Sequence, residues 1–322
     1  MDWFLAAVNV AELPVWEEKL ALWVLYASLA LLGLELWRYA LMQRLNWALV
    51  GDAITNFATL AMYYVASALL LTGVYVFAFS AAAEFAVHEI PVNPATVAVC
   101  IVLADLAYYW EHRFLHRVNL GWATHSVHHS SPCFNLSVAY RFGPLDGFWP
   151  IFFHLPLVLA GFHPFVVFFA AIMVQLYQTF LHTEAVKTLP KPVEWLFNTP
   201  SHHRVHHGSN EQYLDANYGG VFIVWDRMFG TFVAEGEAVR YGLVRPLPEI
   251  DSPGRMFAAP FVAFFHGFWR LGGRLLAAQS AYEIWMSLFG PPGWSPGSRR
   301  RQNPPRQPTI EKIGQNISDK RF

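Results

Sequence analysis

The run from Ala53 to Ala83 carries no charged residue and is bracketed by Asp52 and Glu84. As a helix rising about 1.5 Å per residue, it can cross roughly 30 Å of bilayer hydrocarbon with some tilt. Such a segment removes most soluble folds from consideration, because lipid offers no partner to a free peptide N–H or C=O and so demands helix. Two further runs qualify. One extends from Leu20 to Leu41, broken only by Glu35 and Arg38; the other begins near Pro91 and stays uncharged to Asp105, then runs on into Glu111 and His112. From Gly147 to Thr183 the chain is again uncharged, but Pro150, Pro156 and the Gly161-Phe162-His163-Pro164 turn divide it. Two short helices that dip into the membrane and return are expected there.

The composition agrees: 55% of residues are hydrophobic and 14% charged, against about 25% charged in a soluble domain. With a net charge of −1, the chain has no global field that would draw it to nucleic acid. The two cysteines, Cys100 and Cys133, have neither disulfide-framework nor metal-type spacing. The start MDWFLAAVNVAELPVWEEKL lacks the basic region and cleavage site of a signal peptide, so the chain is read as unprocessed. We expect an all-α integral membrane protein with roughly three to five membrane-inserted helices and a helical cytosolic cap. Residues 1–290 are read as one membrane-embedded domain, with peripheral helices over 236–290 and a disordered, Pro- and Arg-rich tail over 291–322. The stretch Met256 to Leu288 mixes large apolar residues with Arg270, Arg274 and Glu283, which suits a helix lying on the membrane surface or packed against the cap.

Histidine is the second constraint. Of 14 histidines, most fall into three motifs: His112 and His116 in HRFLH, His125, His128 and His129 in HSVHH, and His203, His206 and His207 in HRVHH, with His182 alone at the end of the hairpin. On a helix, offsets of three and four return to the same face, so each motif reads as a multidentate clamp. A lone histidine on an apolar face is usually a satisfied core residue, but an HxxHH pattern occurring twice beside membrane ends is not explained that way. Nine imidazoles exceed what one ion takes, so two ions are implied. The rest, His88, His154, His163 and His266, are read as structural, and His202 is left open. Asp105, seven residues before His112 on the same helical face and inside a membrane run, is a candidate partner for a ligand histidine; the alternative is a bond to a tyrosine or to backbone. Arg38 and Arg44, with Arg113, Arg117, Arg141 and Arg204 around the motifs, place the histidines on the cytoplasmic side.

These motifs resemble the fatty acid hydroxylase and sterol desaturase superfamily of membrane di-iron oxygenases over residues 50–235, with the motif core at 95–235. The run NTPSHHRVHHG from Asn198 to Gly208, continuing through Asn217-Tyr218-Gly219-Gly220 to the WDRMFGT run from Trp225 to Thr231, looks most like the alkylglycerol monooxygenase branch and its bacterial relatives. The resemblance implies two iron ions held by His112, His116, His125, His128, His129, His182, His203, His206 and His207. It implies a membrane enzyme, of a bacterial inner membrane or the endoplasmic reticulum, that uses O2 to hydroxylate a lipid drawn from the bilayer. A desaturase of the same superfamily and a metal-binding membrane protein without turnover are the alternatives. Where some relatives place a second histidine four residues before the lone one, this chain has Gln178, so coordination at that corner is open. Asp226 resembles an acid that supports the ligands, or caps a turn; Asn217 and Tyr218 are read as turn residues before any role in bordering the site. No GxGxxG run and no haem-attachment pattern is present, so electrons are expected from a separate donor. The branch implies a reduced pterin, other branches a cytochrome or ferredoxin. Phe152, Phe153, Phe168, Phe169 and Tyr177 are read as lipid-facing or packing residues before any role in lining an acyl passage.

Overall fold

The computed structural model describes residues 8–244 and 253–296. Most of the expected disordered tail, residues 297–322, lies outside the described residues.

Twelve α-helices carry the described chain. Helix α1 (Leu13–Leu41) follows a single turn at Val10–Glu12 and starts on Pro14, whose missing N–H costs nothing in a first turn. Asn46 begins α2 (Trp47–Ala66) by accepting the Leu49 N–H at 2.9 Å. A π-helical segment, Ser67–Leu71, joins α2 to α3 (Thr72–Glu84), so the uncharged run forms one continuous span over Trp47–Glu84. Helix α4 (Pro94–Arg117) opens with a capping box in which Asn93 and Thr96 exchange bonds at 3.0 Å. Among the described residues three helices are thus long and apolar enough to cross a membrane. Their outward residues are large and bare, Trp23 at 72%, Leu69 at 78% and Phe77 at 76% exposure, as a lipid-facing surface requires.

After the short α5 (Asn119–His125) and a loop of 3-10 turns, the hairpin forms as α6 (Pro150–Leu159) and α7 (Pro164–Thr179). Gly161 turns it at φ +108°, where a Cβ would lie 2.0 Å from the His88 carbonyl oxygen. His163 caps α7 by accepting the Phe165 N–H. Phe79, Ala82, Cys100, Ala104, Ile151, Val158, Val167 and Ala170 form the apolar core where α3, α4, α6 and α7 meet.

The cap is built from α8 (Lys191–Leu196), α9 (Pro200–His206) and α10 (Val224–Phe229); among the described residues it contains no strand, only an isolated bridge between Phe197 and Phe222. The C-terminal stretch forms two helices rather than one: α11 (Pro253–Ala277) packs on α2 and α5, and α12 (Ala281–Phe289) folds back on α11. Ser280 interrupts them and caps α12 by accepting the Glu283 N–H.

Candidate metal centre

Two groups of imidazoles converge. His112, His116, His125, His129 and His206 bring one nitrogen each to within 4.8 Å of one another, and so do His128, His182, His203 and His207. In two motifs the rings therefore do not share one stripe, as the helical spacing suggested. HSVHH gives His125 and His129 to the first group and His128 to the second; HRVHH gives His203 and His207 to the second and His206 to the first. Members four apart share a group, and the histidine between them points to the other. These two motifs tie both groups together, while HRFLH gives His112 and His116 to the first alone.

Hydrogen bonds set which nitrogen faces inward. The Nδ1 atoms of His112 and His206 donate to the carbonyls of Tyr218 (3.0 Å) and Ala216 (3.1 Å), and those of His128 and His182 to the carbonyls of Arg141 (3.1 Å) and Gln178 (3.0 Å). A carbonyl only accepts, so Nδ1 carries the proton and Nε2 keeps a bare lone pair. In the first group all five Nε2 atoms are buried without a partner. In the second, Nε2 atoms meet only one another, His182 with His203 at 2.9 Å, His203 with His207 at 3.2 Å and His128 with His182 at 3.4 Å. Nε2 is bare in His128 and His182, and a cation between the four rings would take one lone pair from each. The donor sets fit two metal ions of the kind that imidazole binds.

Electrostatics favour the same state. Burial, reinforced by neighbouring imidazoles, holds His125, His129, His182, His203, His206 and His207 well below the ordinary histidine range. His128 is pushed down to about 4, by burial first and by the Arg141 charge in the same sense. At neutral pH these rings are uncharged, the form that binds a metal.

The segment from Ala216 to Trp225 is the frame for the first group, and two carboxylates fix it. Asp226 accepts the N–H groups of Tyr218 and Gly219, each at 2.7 Å, and the Thr231 hydroxyl. Asp105 accepts from Val221 N at 2.6 Å, Phe222 N at 3.0 Å and the Trp225 indole at 2.8 Å. Asp105 therefore does not hold a ligand histidine: its bonds all go to the loop whose Tyr218 carbonyl orients His112. Asn217 is a turn residue with φ +57°, bonded to Val233. Tyr218 does more than turn the chain, since its ring also packs against His112, His116 and His206. The Gln178 side chain bonds within α7, to the Val174 carbonyl and Gln175, and only its backbone serves a ligand.

His202 turns away from both groups to pair with Glu194 at 2.9 Å. His154 bonds the Pro150 carbonyl, and neither His163 nor His266 joins a group. Phe152 and Phe168 face outward, and the Tyr177 hydroxyl donates to the Asn198 carbonyl.

The second group has a frame that the sequence reading missed. Arg141 is fully buried; it pairs with Asp52 of α2 at 3.0 Å and donates to Asn56, Ser130 and the Val127 carbonyl, while its own carbonyl holds His128. Glu35 of α1 accepts from Leu136 N at 3.0 Å and from the Thr183 hydroxyl, beside His182. The signal was in the sequence: acids at 35 and 52 inside or at the edge of apolar spans are costly unless they hold something. Arg141, and Arg204 paired with Glu235, are internal ion pairs rather than membrane-surface charges. Only Arg38, Arg44, Arg113 and Arg117 then bear on orientation.

Nine buried histidines converge here, two of them on the membrane-spanning α4. Residues 97–231 match the model of the fatty acid hydroxylase family. It is 39% identical to alkylglycerol monooxygenase of Xenopus tropicalis over 219 residues, 68% of this chain and 47% of that protein. To alkylglycerol monooxygenase of Homo sapiens it is 40% identical over 209 residues, 65% of this chain and 44% of that protein. Ornithine lipid hydroxylase OlsE of Rhizobium tropici is 31% identical over 137 residues, covering 42% and 41%. The chain spans less than half the length of these curated relatives. No solved structure gives a significant match.

Proposed function

We propose that this chain is an integral membrane monooxygenase that uses two iron ions, held by the nine histidines, and dioxygen to hydroxylate a lipid, an alkyl ether lipid first among the candidates. The observation that carries the proposal is the convergence of nine imidazoles in two sets, five of them with unpartnered Nε2 atoms, beside the end of the membrane-spanning α4. Bound there, the metal pair supplies the oxidising strength that no side chain has, enough to break an unactivated C–H bond.

The protein's own part is positional. The carbonyls of Tyr218, Ala216, Arg141 and Gln178 fix four imidazole tautomers. Burial keeps the rings neutral and limits water at the centre. Helices α1 to α4 set the site at the depth from which a bilayer lipid arrives. Arg38, Arg44, Arg113 and Arg117 support a cytoplasmic site, where an external reductant, pterin or protein, reaches it.

Identity to alkylglycerol monooxygenases supports the ether-lipid reading. Weaker likeness to lathosterol oxidase of Homo sapiens, 28% over 149 residues, keeps desaturation as the second reading. The test is turnover in lipid nanodiscs with iron, a tetrahydropterin and isotopically labelled dioxygen. Hydroxylation places one labelled oxygen in the lipid product, desaturation gives an alkene without label, and a metal-binding protein without turnover gives neither.

A further inference from the structure

Oxidising equivalents generated without a lipid in place fall on the protein itself, and a line of aromatic residues leaves the centre on one side. The Tyr218 ring lies 5.4 Å from His116 and 5.9 Å from His112, centroid to centroid. Tyr109 follows at 6.2 Å from Tyr218, and Trp110 at 5.4 Å from Tyr109. Trp110 is 41% exposed, so the line reaches the surface in three rings. Phe229 covers it, stacking on Tyr109 at 5.2 Å and against Trp110 at 4.9 Å.

A phenol gives up an electron readily only when its proton can leave at the same time. The Tyr218 hydroxyl is buried and has no hydrogen-bond partner among the described residues, so its proton has nowhere to go. Tyr109 differs. Its hydroxyl lies 3.0 Å from Thr231 Oγ1, and the Thr231 hydroxyl donates to Asp226 Oδ1 at 2.7 Å. Thr231 is therefore the acceptor for the Tyr109 proton, and the relay ends on a buried carboxylate. Arg113 Nη1 donates to the phenol oxygen at 3.0 Å and leaves the phenolic proton free for that path.

We infer, resting on the dimetal reading above, that Tyr109 is a redox relay that drains oxidising equivalents from the metal centre to Trp110 when no lipid is bound. Tyr109 gives one electron, across the Tyr218 ring, to the metal pair left oxidised by dioxygen reduction. Its O–H bond breaks; the proton passes to Thr231 Oγ1 as the Thr231 hydroxyl proton passes to Asp226. The products are a neutral Tyr109 phenoxyl, a protonated Asp226 and a metal pair richer by one electron. Trp110 then gives an electron to Tyr109, the proton returns through Thr231, and the oxidised indole at the surface is reduced by the external donor. Trp122 is also near, 5.3 Å from His116 and 5.7 Å from His129, but has no such chain of acceptors among the described residues.

The experiment loads the full chain in detergent with ferrous iron, mixes it with dioxygenated buffer without lipid or reductant, and freezes it for electron paramagnetic resonance. Metal content and dioxygen uptake are measured on the same samples, and peptides are mapped for oxidised residues. The expected result is an organic radical whose hyperfine pattern changes with ring-deuterated tyrosine, and oxidation concentrated on Trp110. In Tyr109→Phe the radical and the Trp110 oxidation are lost while metal content holds; in Tyr218→Phe and Trp122→Phe both persist. A radical or oxidation pattern unchanged in Tyr109→Phe, or damage centred on Trp122, overturns the inference. Metal binding and dioxygen uptake with no radical at all also overturn it, while the dimetal reading stands. No metal or no uptake would instead fail that reading, and the inference with it.

Discussion

Removing Asp52 should empty one metal group and spare the other. Arg141 and Asp52 are 0% and 1% exposed and 3.0 Å apart, an ion pair taken entirely out of solvent. Asp52→Ala leaves a guanidinium buried with only neutral partners, Asn56, Ser130 and the Val127 carbonyl. Stranding one member of a buried pair costs about 3–5 kcal/mol, and the loss of the Ser131 bond to the same carboxylate adds about 1 kcal/mol. The guanidinium can escape that penalty only by moving toward solvent, which displaces its own backbone, and that backbone carbonyl is what orients His128. No ring of the first group is oriented by Arg141, which reaches that group only through Val127 and Ser130 beside His129. The assay is thermal unfolding in detergent together with metal per chain by mass spectrometry. Asp52→Ala is expected to unfold at markedly lower temperature and to lose the ion held by His128, His182, His203 and His207. The double variant Asp52→Leu with Arg141→Met removes both charges and keeps the 141 carbonyl, so it should recover most of the stability and the metal. Full metal content with unchanged unfolding in Asp52→Ala would refute the reasoning; so would a double variant no better than the single.

Two further outcomes follow from the frame and from the burial of the imidazoles. Gly220→Ala would place a Cβ 2.6 Å from both Asp105 Oδ1 and Val174 Cγ1 and 2.9 Å from the Tyr108 ring, so the loop carrying the Tyr218 carbonyl must shift; unfolding should show a loss of about 1–3 kcal/mol, with weakened binding at the first group, whereas wild-type stability would contradict the packing. In the metal-free protein, histidines held below their ordinary value take up protons on unfolding, so stability is full above pH 6.5 and falls as pH drops through the window toward 4. His128 alone, lowered from 6.5 to about 4, accounts for roughly 3 kcal/mol of that loss; a pH titration of denaturant unfolding that stays flat from 7 to 4 would contradict the burial of the neutral rings.

The membrane helices were legible because charge exclusion from hydrocarbon is written directly into composition: the Ala53–Ala83 run became the Trp47–Glu84 span, and the prolines at 150 and 164 started the two helices of the hairpin. The nine histidines were legible as a set from HxxHH occurring twice, and the structure brings the same nine together. Their division between two groups was not, because α5 ends at His125 and the chain passes into a 3-10 turn at His128–Ser130, so helical spacing no longer says where each ring points. Asp105 lies on the expected face of α4, but its partners come from residues 221–225, and no local pattern announces a contact over that separation. Arg141 failed as a topology marker for a similar reason: sequence counts a charge, whereas only the fold shows that Asp52 neutralises it in the interior.

The most direct test of the account is metal content by mass spectrometry on iron-loaded protein, for the native chain and for His125→Ala, His182→Ala and His202→Ala. Two ions per chain in the native protein and in His202→Ala, whose ring pairs with Glu194 outside both groups, are predicted, with one ion retained in each of the other two variants and none when these are combined. Two ions surviving the combined variant, or a native chain that binds none, would contradict the dimetal centre on which the proposed function rests.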